Sequence, residues 1–292
     1  MPARPDGKDM TDTLRFILCA DDFALTPGVS QGIVEALEAG VLSATGAMTT
    51  RPFWREGARM LAPFIATADL GLHLNLTLGA PLTAMPGLAP SAMLPPLRSL
   101  LVAALARRLP QREVEAEIGA QIDAYCDAMG RAPDFVDGHQ HVHVLPGVRD
   151  WLLEALAKRG LAGATYVRDS GDGLASIAAR KVEAPKAAFV AVLARGFRVA
   201  ARARGFGANQ GFAGFSGFDP RRDYGADFAR SLLRPGARHL VMCHPGRVDA
   251  ELSGLDPATA SREAELDWLL SQRHGDALAA AQARIVRMRD LA

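Results

Sequence analysis

Five of the seven histidines in this 292-residue sequence lie at the ends of short apolar segments predicted as strands. Asp21 and Asp22 follow the apolar run RFILCA, and His73 lies within GLHLNLT. Residues 137–143 read DGHQHVH, and His244 opens the turn HPG after HLVMC. Imidazole and carboxylate groups are common ligands of metal ions and common general acids and bases. These segments therefore predict hydrolytic chemistry supported by a metal.

The segment DGHQHVH is the most informative of these. The run from Phe135 to Val144 predicts a strand, in which Asp137, His139, His141 and His143 have the same parity and share one face. Three imidazoles and a carboxylate on one buried face are costly unless they bind something, and a metal ion is the simplest explanation. One histidine could instead orient another ligand. The alternative is an edge strand with exposed histidines.

The remaining polar groups each allow two interpretations. Of Asp21 and Asp22, one could bind a metal while the other accepts a proton from water, or the pair could cap a helix. His73 could be a ligand or a hydrogen-bonded core histidine. The rigid Pro-Gly turn after His244 would present its imidazole to protonate a leaving group, although a loop hydrogen bond is the alternative.

These residues need a scaffold, and short apolar segments alternate with amphipathic ones along the chain. This pattern predicts parallel βαβ units in a barrel or a doubly wound sheet, with the site at the carboxyl ends of the strands. The sequence lacks both G-x-G-x-x-G and G-x-x-x-x-G-K-S/T, which disfavours nucleotide binding. We expect a strand over Arg15–Ala20, a long loop over Thr77–Pro96 beside the pocket, and one helix near Ala187–Ala203 in an otherwise irregular region.

Composition excludes several classes of protein. The 33 basic and 32 acidic residues create no global field for nucleic acid or anionic lipid, and no apolar run reaches the ~18 residues of a membrane span. The cluster Arg195, Arg198, Arg202 and Arg204 is most simply a solvated face. The polar N-terminus, with no apolar core of a signal peptide, predicts a loose tail or a true start at Met10. Three cysteines suit a cytoplasmic protein.

Five motifs occur in the order ADDFA, GLHLNLT, PLTAMPGL, DGHQHVHVLPGV and MCHPG, between residues ~15 and ~250. Together they resemble the YdjC-like carbohydrate deacetylases, and PLTAMPGL is nearer to the chito-oligosaccharide deacetylase branch. The resemblance implies an α/β fold, a distorted TIM-like (β/α) barrel, formed as a single domain by residues 14–292 after a tail of residues 1–13.

The resemblance also implies roles for individual residues. Asp22, His73 and His139 correspond to the metal ligands, Asp21 to the catalytic base, and His244 to an active-site histidine. Further candidates for binding substrate or orienting these groups are His141, His143, Arg168 and Asp137.

Two positions depart from the family pattern. Ala24 replaces a usual glycine, which would alter the turn after Phe23, and Gln140 stands where relatives often have histidine. Neither departure removes an expected ligand.

The expected activity is hydrolysis of N-acetyl groups on amino sugars in short oligosaccharides, with one divalent metal ion. The resemblance implies Mg²⁺, whereas two imidazoles and one carboxylate suit Zn²⁺. The expected partner is a small N-acetylated sugar, and a homodimer is implied. Two other functions stay open: a metal-dependent phosphoesterase, and a non-catalytic relative that binds sugar or metal.

Overall fold

The alternation of apolar and amphipathic segments produces alternating strands and helices in the computed structural model, which describes residues 13–291. Residues 1–12 of the predicted tail lie outside the described residues. The strands are β1 (Leu14–Phe23), β2 (Ala44–Ala47), β3 (Asp69–Leu74), β4 (Phe135–Gly138), β5 (Tyr166–Val167), β6 (Gly207–Ala208), β7 (Phe212–Ala213), β8 (His239–Cys243) and β9 (Ala283–Ile285). The helices are α1 (Pro27–Glu38), α2 (Trp54–Leu61), α3 (Leu97–Leu105), α4 (Gln111–Met129), α5 (Val148–Lys158), α6 (Leu174–Arg180), α7 (Ala184–Leu193), α8 (Phe197–Ala203), α9 (Tyr224–Ser231), α10 (Ala250–Leu255), α11 (Ala260–Leu269) and α12 (Gln272–Ala280).

The strands form one parallel sheet in the order β6-β5-β4-β3-β2-β1-β8-β7, with β9 beside the beginning of β1. Only residues 209–211 separate the two end strands, so the sheet curls round toward its own beginning. Asn209 strengthens this junction, since its side chain accepts from the N–H of Asp169 at 2.7 Å and donates to the carbonyl of Gly211 at 3.1 Å. The single α/β domain is a distorted TIM-like barrel, as predicted.

Close packing in the core and a helix cap position the segments near the ends of the strands. Gly71 in β3 lies under the ring of Phe135 in β4, where an added Cβ would lie 2.5 Å from that ring. After β1, the hydroxyl of Thr26 accepts from the N–H of Val29 and begins α1 with Pro27 in its first turn. In the described part of the chain, no helix is both long and apolar enough to cross a membrane.

Two predicted elements are wrong. The strand over Phe135–Val144 ends at Gly138, and residues 139–144 form a short 3₁₀ segment, because Gln140 and His141 adopt left-handed backbone angles with φ of 53° and 61°. The three histidines therefore do not share a strand face. The region from 170 to 219 contains α6, α7 and α8 rather than one helix, since Gly196, with φ of 81°, separates α7 from α8.

Candidate metal centre

The carboxyl ends of β1, β3 and β4 bring together the three residues predicted as metal ligands. Asp22 and His73 lie near the ends of β1 and β3, and His139 directly follows β4. The Oδ1 atom of Asp22 lies 3.2 Å from Nε2 of His73 and 2.8 Å from Nδ1 of His139. All three side chains are buried, and their potential ligand atoms lie within 4.8 Å of one another.

This geometry fits a metal ion. Bonds of about 2.0–2.2 Å to one ion place neighbouring ligand atoms roughly 3 Å apart, close to the two spacings around Asp22 Oδ1. Nδ1 of His73 lies 2.6 Å from Oδ1 of Asp137, which leaves Nε2 directed toward Asp22. A carboxylate behind a histidine is the usual arrangement that fixes the tautomer of a metal-binding imidazole. The donor set and its support are therefore those of a divalent metal site.

A bulge in β1 explains how two adjacent aspartates reach one site. Successive strand residues normally point to opposite faces. Here the register between β1 and β2 shifts between Ala20 and Phe23, and Asp22 has a left-handed φ of 68°. The strand thus continues past the predicted end at Ala20, and the extra residue re-aims the side chains. Ala24 also has a φ of 68°, which accounts for the glycine usual at this position.

Asp21 is held by a buried arginine. Nη1 and Nη2 of Arg168 donate to its two carboxylate oxygens at 2.7 and 2.6 Å, and Nη2 also lies 2.6 Å from Oδ2 of Asp137. The cluster of Cys19, Asp21 and Asp137 is therefore filled by a guanidinium group. Arg168 is fully buried behind Asp21. It contacts these carboxylates rather than the open cavity where a substrate would lie.

The charges around the centre favour a cation at this point. Burial alone would lower the pKa of His73, but Asp137 and Asp21 outweigh it and raise that pKa to about 10. Burial alone would raise the pKa of Asp22, but His139 and Arg262 hold it well below the usual range. Burial is likewise outweighed at Asp21, whose pKa Arg168 keeps well below that of a free carboxyl.

The two other histidines of DGHQHVH are not among the three candidate ligands, although His141 lines the same cleft. The ring of His141 contacts the rings of Phe212 and Phe215, and Nε2 of His143 lies 2.8 Å from the carbonyl oxygen of Arg168. Burial lowers the pKa of His143 to about 4 and that of His141 well below its ordinary value. Both are neutral at pH 7, and His143 supports the segment that carries Arg168.

His244 faces the same cavity from the end of β8. Its ring packs edge-on against Phe218, with centroids 5.0 Å apart, and its backbone N–H donates to Oε2 of Glu265 at 2.6 Å. Burial lowers the pKa of His244 to about 4 despite the nearby Asp21 and Asp22. Burial raises the pKa of Glu265 to about 7.

Sequence reasoning did not identify three residues that complete the site. Nη2 of Arg262 donates to Oδ2 of Asp22 at 2.6 Å, so one carboxylate oxygen stays directed at the two histidines. Glu265 anchors the backbone of His244. Gly46 leaves room for the pair of His73 and Asp137, since an added Cβ would lie 3.2–3.3 Å from these side chains. No local sequence motif identifies these three residues, because each one contacts residues that are distant in the sequence.

The centre opens into a cleft of about 1040 Å³, including its mouth. The predicted loop over Thr77–Pro96 leaves β3 at this end of the sheet, and Glu117 binds the backbone N–H groups of Leu82 and Thr83. No residue of this loop lines the cleft among those that the structure describes, and the wall comes from α3, which follows the loop, and from α7. Side chains of α3 and α7 line it: Leu97, Leu101, Lys186, Phe189, Val190 and Leu193.

Fold and site define an α/β-barrel protein with an Asp-His-His centre at the carboxyl ends of parallel strands. The chain belongs to the YdjC-like protein family, whose sequence model matches residues 15–280, so the family resemblance is confirmed. Chitooligosaccharide deacetylases of Enterobacter sp. (strain 638) and Citrobacter koseri are each 36% identical to it over 146 residues. These matches cover 50% of this chain and 57% of each relative. The chain thus spans little more than half the length of the curated relatives that it matches.

A crystal structure from Enterococcus faecalis V583, of a protein named for cellobiose-phosphate cleavage, superimposes with a TM-score of 0.70. The superposition covers 96% of this chain and 100% of the Enterococcus faecalis chain, with 22% sequence identity. At this identity the likeness concerns the fold alone.

Proposed function

We propose that this protein is a metal-dependent hydrolase that removes N-acetyl groups from amino sugars in short, chito-oligosaccharide-like substrates. The observation that carries the proposal is the meeting of Asp22, His73 and His139 in an open cleft whose wall also includes Asp21 and His244. The relatives named chitooligosaccharide deacetylase support the choice of substrate.

The residues around the centre would hold one divalent ion. When bound, such an ion polarises the carbonyl of the acetamide and makes water more acidic. Asp137 would keep Nε2 of His73 free for the ion, and Arg262, which pairs with Oδ2 of Asp22, would leave Oδ1 of that carboxylate for it. The donor set suits Zn²⁺ by ligand softness, whereas the family resemblance implies Mg²⁺, so the test uses both ions.

Asp21 and His244 would move the proton. The fork of Arg168 orients Asp21 and keeps it anionic, so it can accept a proton from the attacking water. The same fork makes the protonated carboxyl a strong acid, which gives the proton up readily. His244, neutral at pH 7, takes this proton and delivers it to the departing amine as the C–N bond breaks.

A single metal position favours amide hydrolysis over phosphoester hydrolysis. Phosphatases commonly use two ions about 3.5–4 Å apart. Among the described residues, the second cluster with metal-binding groups is Cys19, Asp21 and Asp137, and the guanidinium of Arg168 already occupies it. A second ion at this position would have to displace a buried cation.

The test is acetate release from N-acetylated chito-oligosaccharides by metal-stripped protein restored with Zn²⁺ or Mg²⁺. We expect turnover only after the metal is restored. The variant Asp22→Ala should show no turnover even then, and Asp127→Ala, an exposed change on α4, is its matched control. Phosphate release from sugar phosphates without acetate release would favour the phosphoesterase. Metal binding with no turnover of any acetylated sugar would favour a non-catalytic protein. The cytoplasmic location and the homodimer stay predictions, the latter checked by light scattering.

A further inference from the structure

Helix α3 borders the cleft and also presents apolar side chains to solvent. Leu97 and Leu101 line the cleft, and Leu105 continues the same helical row four residues further, where it is 55% exposed. Val102, on the adjacent row, is 61% exposed. The apolar lining of the cleft thus extends out onto the surface.

The wall of the cleft formed by α7 also has apolar side chains that are exposed to solvent. Phe189 of α7 lines the cleft and is still 49% exposed, while Val192 of α7 and Val199 of α8 are 68% and 73% exposed. Among the described residues, five of the eleven exposed large apolar side chains lie on α3, α7 and α8. We call residues 97–109 and 184–205, which contain these helices, the basic apolar rim.

The rim is strongly basic, although the whole chain is almost neutral. Its two segments contain eight of the 33 basic residues and none of the 32 acidic ones, which leaves 25 basic against 32 acidic residues elsewhere. Six of its arginines are exposed and form no ion pair with the described residues: Arg98, Arg107, Arg108, Arg195, Arg198 and Arg202. The overall charge balance therefore conceals an excess of positive charge on α3, α7, α8 and the residues that follow them.

We propose that the basic apolar rim docks on the surface of an anionic lipid bilayer. Exposed Val, Leu and Phe beside Arg and Lys are the combination that binds the interface of such a membrane, where apolar groups enter the acyl boundary and cations meet lipid headgroups. A second copy of the chain fits less well, because a two-fold contact here would place two cationic surfaces together. Nucleic acid would satisfy the arginines but not the aliphatic side chains.

Docking in this way places the cleft mouth against the bilayer. The ammonium of Lys186, 5.3 Å from the ring centre of Phe218, lies at that mouth between the apolar walls. The substrate would then be an amino sugar presented at the membrane surface, and only this consequence rests on the proposed function. The docking itself is independent of turnover.

The experiment is co-sedimentation of the full-length protein with vesicles of phosphatidylcholine alone or with 30% phosphatidylglycerol. We expect binding to the anionic vesicles at least tenfold tighter than to the neutral ones, and weaker at high salt. The triple change Arg195→Gln, Arg198→Gln and Arg202→Gln should weaken it at least tenfold. Three exposed arginines away from the rim provide the matched control: Arg55→Gln, Arg59→Gln and Arg284→Gln.

A second pair of variants separates apolar insertion from charge attraction. Val102→Ser with Val192→Ser should reduce binding several-fold, whereas Ile65→Ser with Leu270→Ser, outside the rim, should not. Thermal melting shows whether each variant is folded. Equal sedimentation with both vesicles, equal loss in rim and control variants, or tighter binding to single-stranded RNA than to vesicles would each overturn the proposal. Acetate release from a soluble oligosaccharide needs no vesicle, so failure of docking and failure of the deacetylase assignment are distinguishable.

Discussion

We call Asp22, His73 and His139, with the buried polar side chains packed around them, the floor of the cleft, and it differs in kind from the basic apolar rim. On the floor, Asp21, Asp22 and Asp137 are buried, and each carboxylate lies against a guanidinium or an imidazole. On the rim, six arginines that form no ion pair with any described residue stand in solvent near exposed aliphatic side chains. Buried charges need fixed partners, whereas exposed ones do not. We therefore expect the floor to determine the reaction and the rim to determine where the protein works.

The largest expected effect comes from removing a ligand on the floor. Asp22→Ala takes away the oxygen shared by His73 and His139, so we expect loss of bound metal and a fall of acetate release to background. Anionic vesicle binding should stay at the parental level, since the rim is unchanged. Metal analysis, acetate release and sedimentation are measured on one preparation. A variant that lost all three functions together would break the separation of floor and rim.

The next effect separates the two neighbouring aspartates. Asp21→Asn keeps size and one carbonyl acceptor for Arg168 but removes the proton acceptor. We expect full metal content and a rate lowered ~10²–10⁴-fold, the usual contribution of general base catalysis. His244→Ala should also retain the metal and should hurt most with poor amine leaving groups. If Asp21→Asn turned over at the parental rate, the proton would have to pass to His244 directly.

The floor was largely predictable from sequence where the signal is local. Asp22 and His73 lie at the ends of apolar strands, and the parallel topology brings such ends together. His139 lies beside them, but the predicted strand face shared with His141 and His143 is wrong, since β4 ends at Gly138 and Gln140 and His141 have left-handed backbone angles. Arg262 could not be found this way, since it reaches Asp22 from 240 residues along the chain.

The rim shows a different limit of sequence reasoning. Four of its arginines, Arg195, Arg198, Arg202 and Arg204, were recognised as a cluster, but a charge run alone is typical of a solvated face. Only the fold shows that α3 and α7, far apart in sequence, border one cleft. The meaning of the cluster therefore depends on its neighbours in space.

A smaller effect, on metal affinity, is expected from a change at Asp137, which lies behind the candidate ligand His73. Asp137→Asn keeps an acceptor for His73 but removes the charge that orients and polarises its imidazole. Changes of this kind typically weaken metal affinity about 10–100-fold. Titration with a competing chelator measures it, and Asp127→Asn on the outer surface is the control. Unchanged affinity would mean that Asp137 serves only to pair Arg168.

The smallest effect on function concerns Glu265, a floor carboxylate that accepts a backbone N–H rather than a direct ion pair. Burial raises its pKa from 4.5 to about 7 in the folded protein, so the folded state binds a proton that the unfolded state has lost between these values. The stability of the wild type relative to Glu265→Gln should therefore fall as pH rises from 4.5 to 7 and then level off. The full difference is at most about 3.5 kcal/mol, since the pKa values of the two states differ by about 2.5 and each pKa unit corresponds to about 1.4 kcal/mol. The glutamine carbonyl can still accept from His244, so acetate release should change little. Denaturant unfolding of both proteins at pH 5 and pH 8 measures the difference, and the same difference at both pH values would show that Glu265 is ionised throughout.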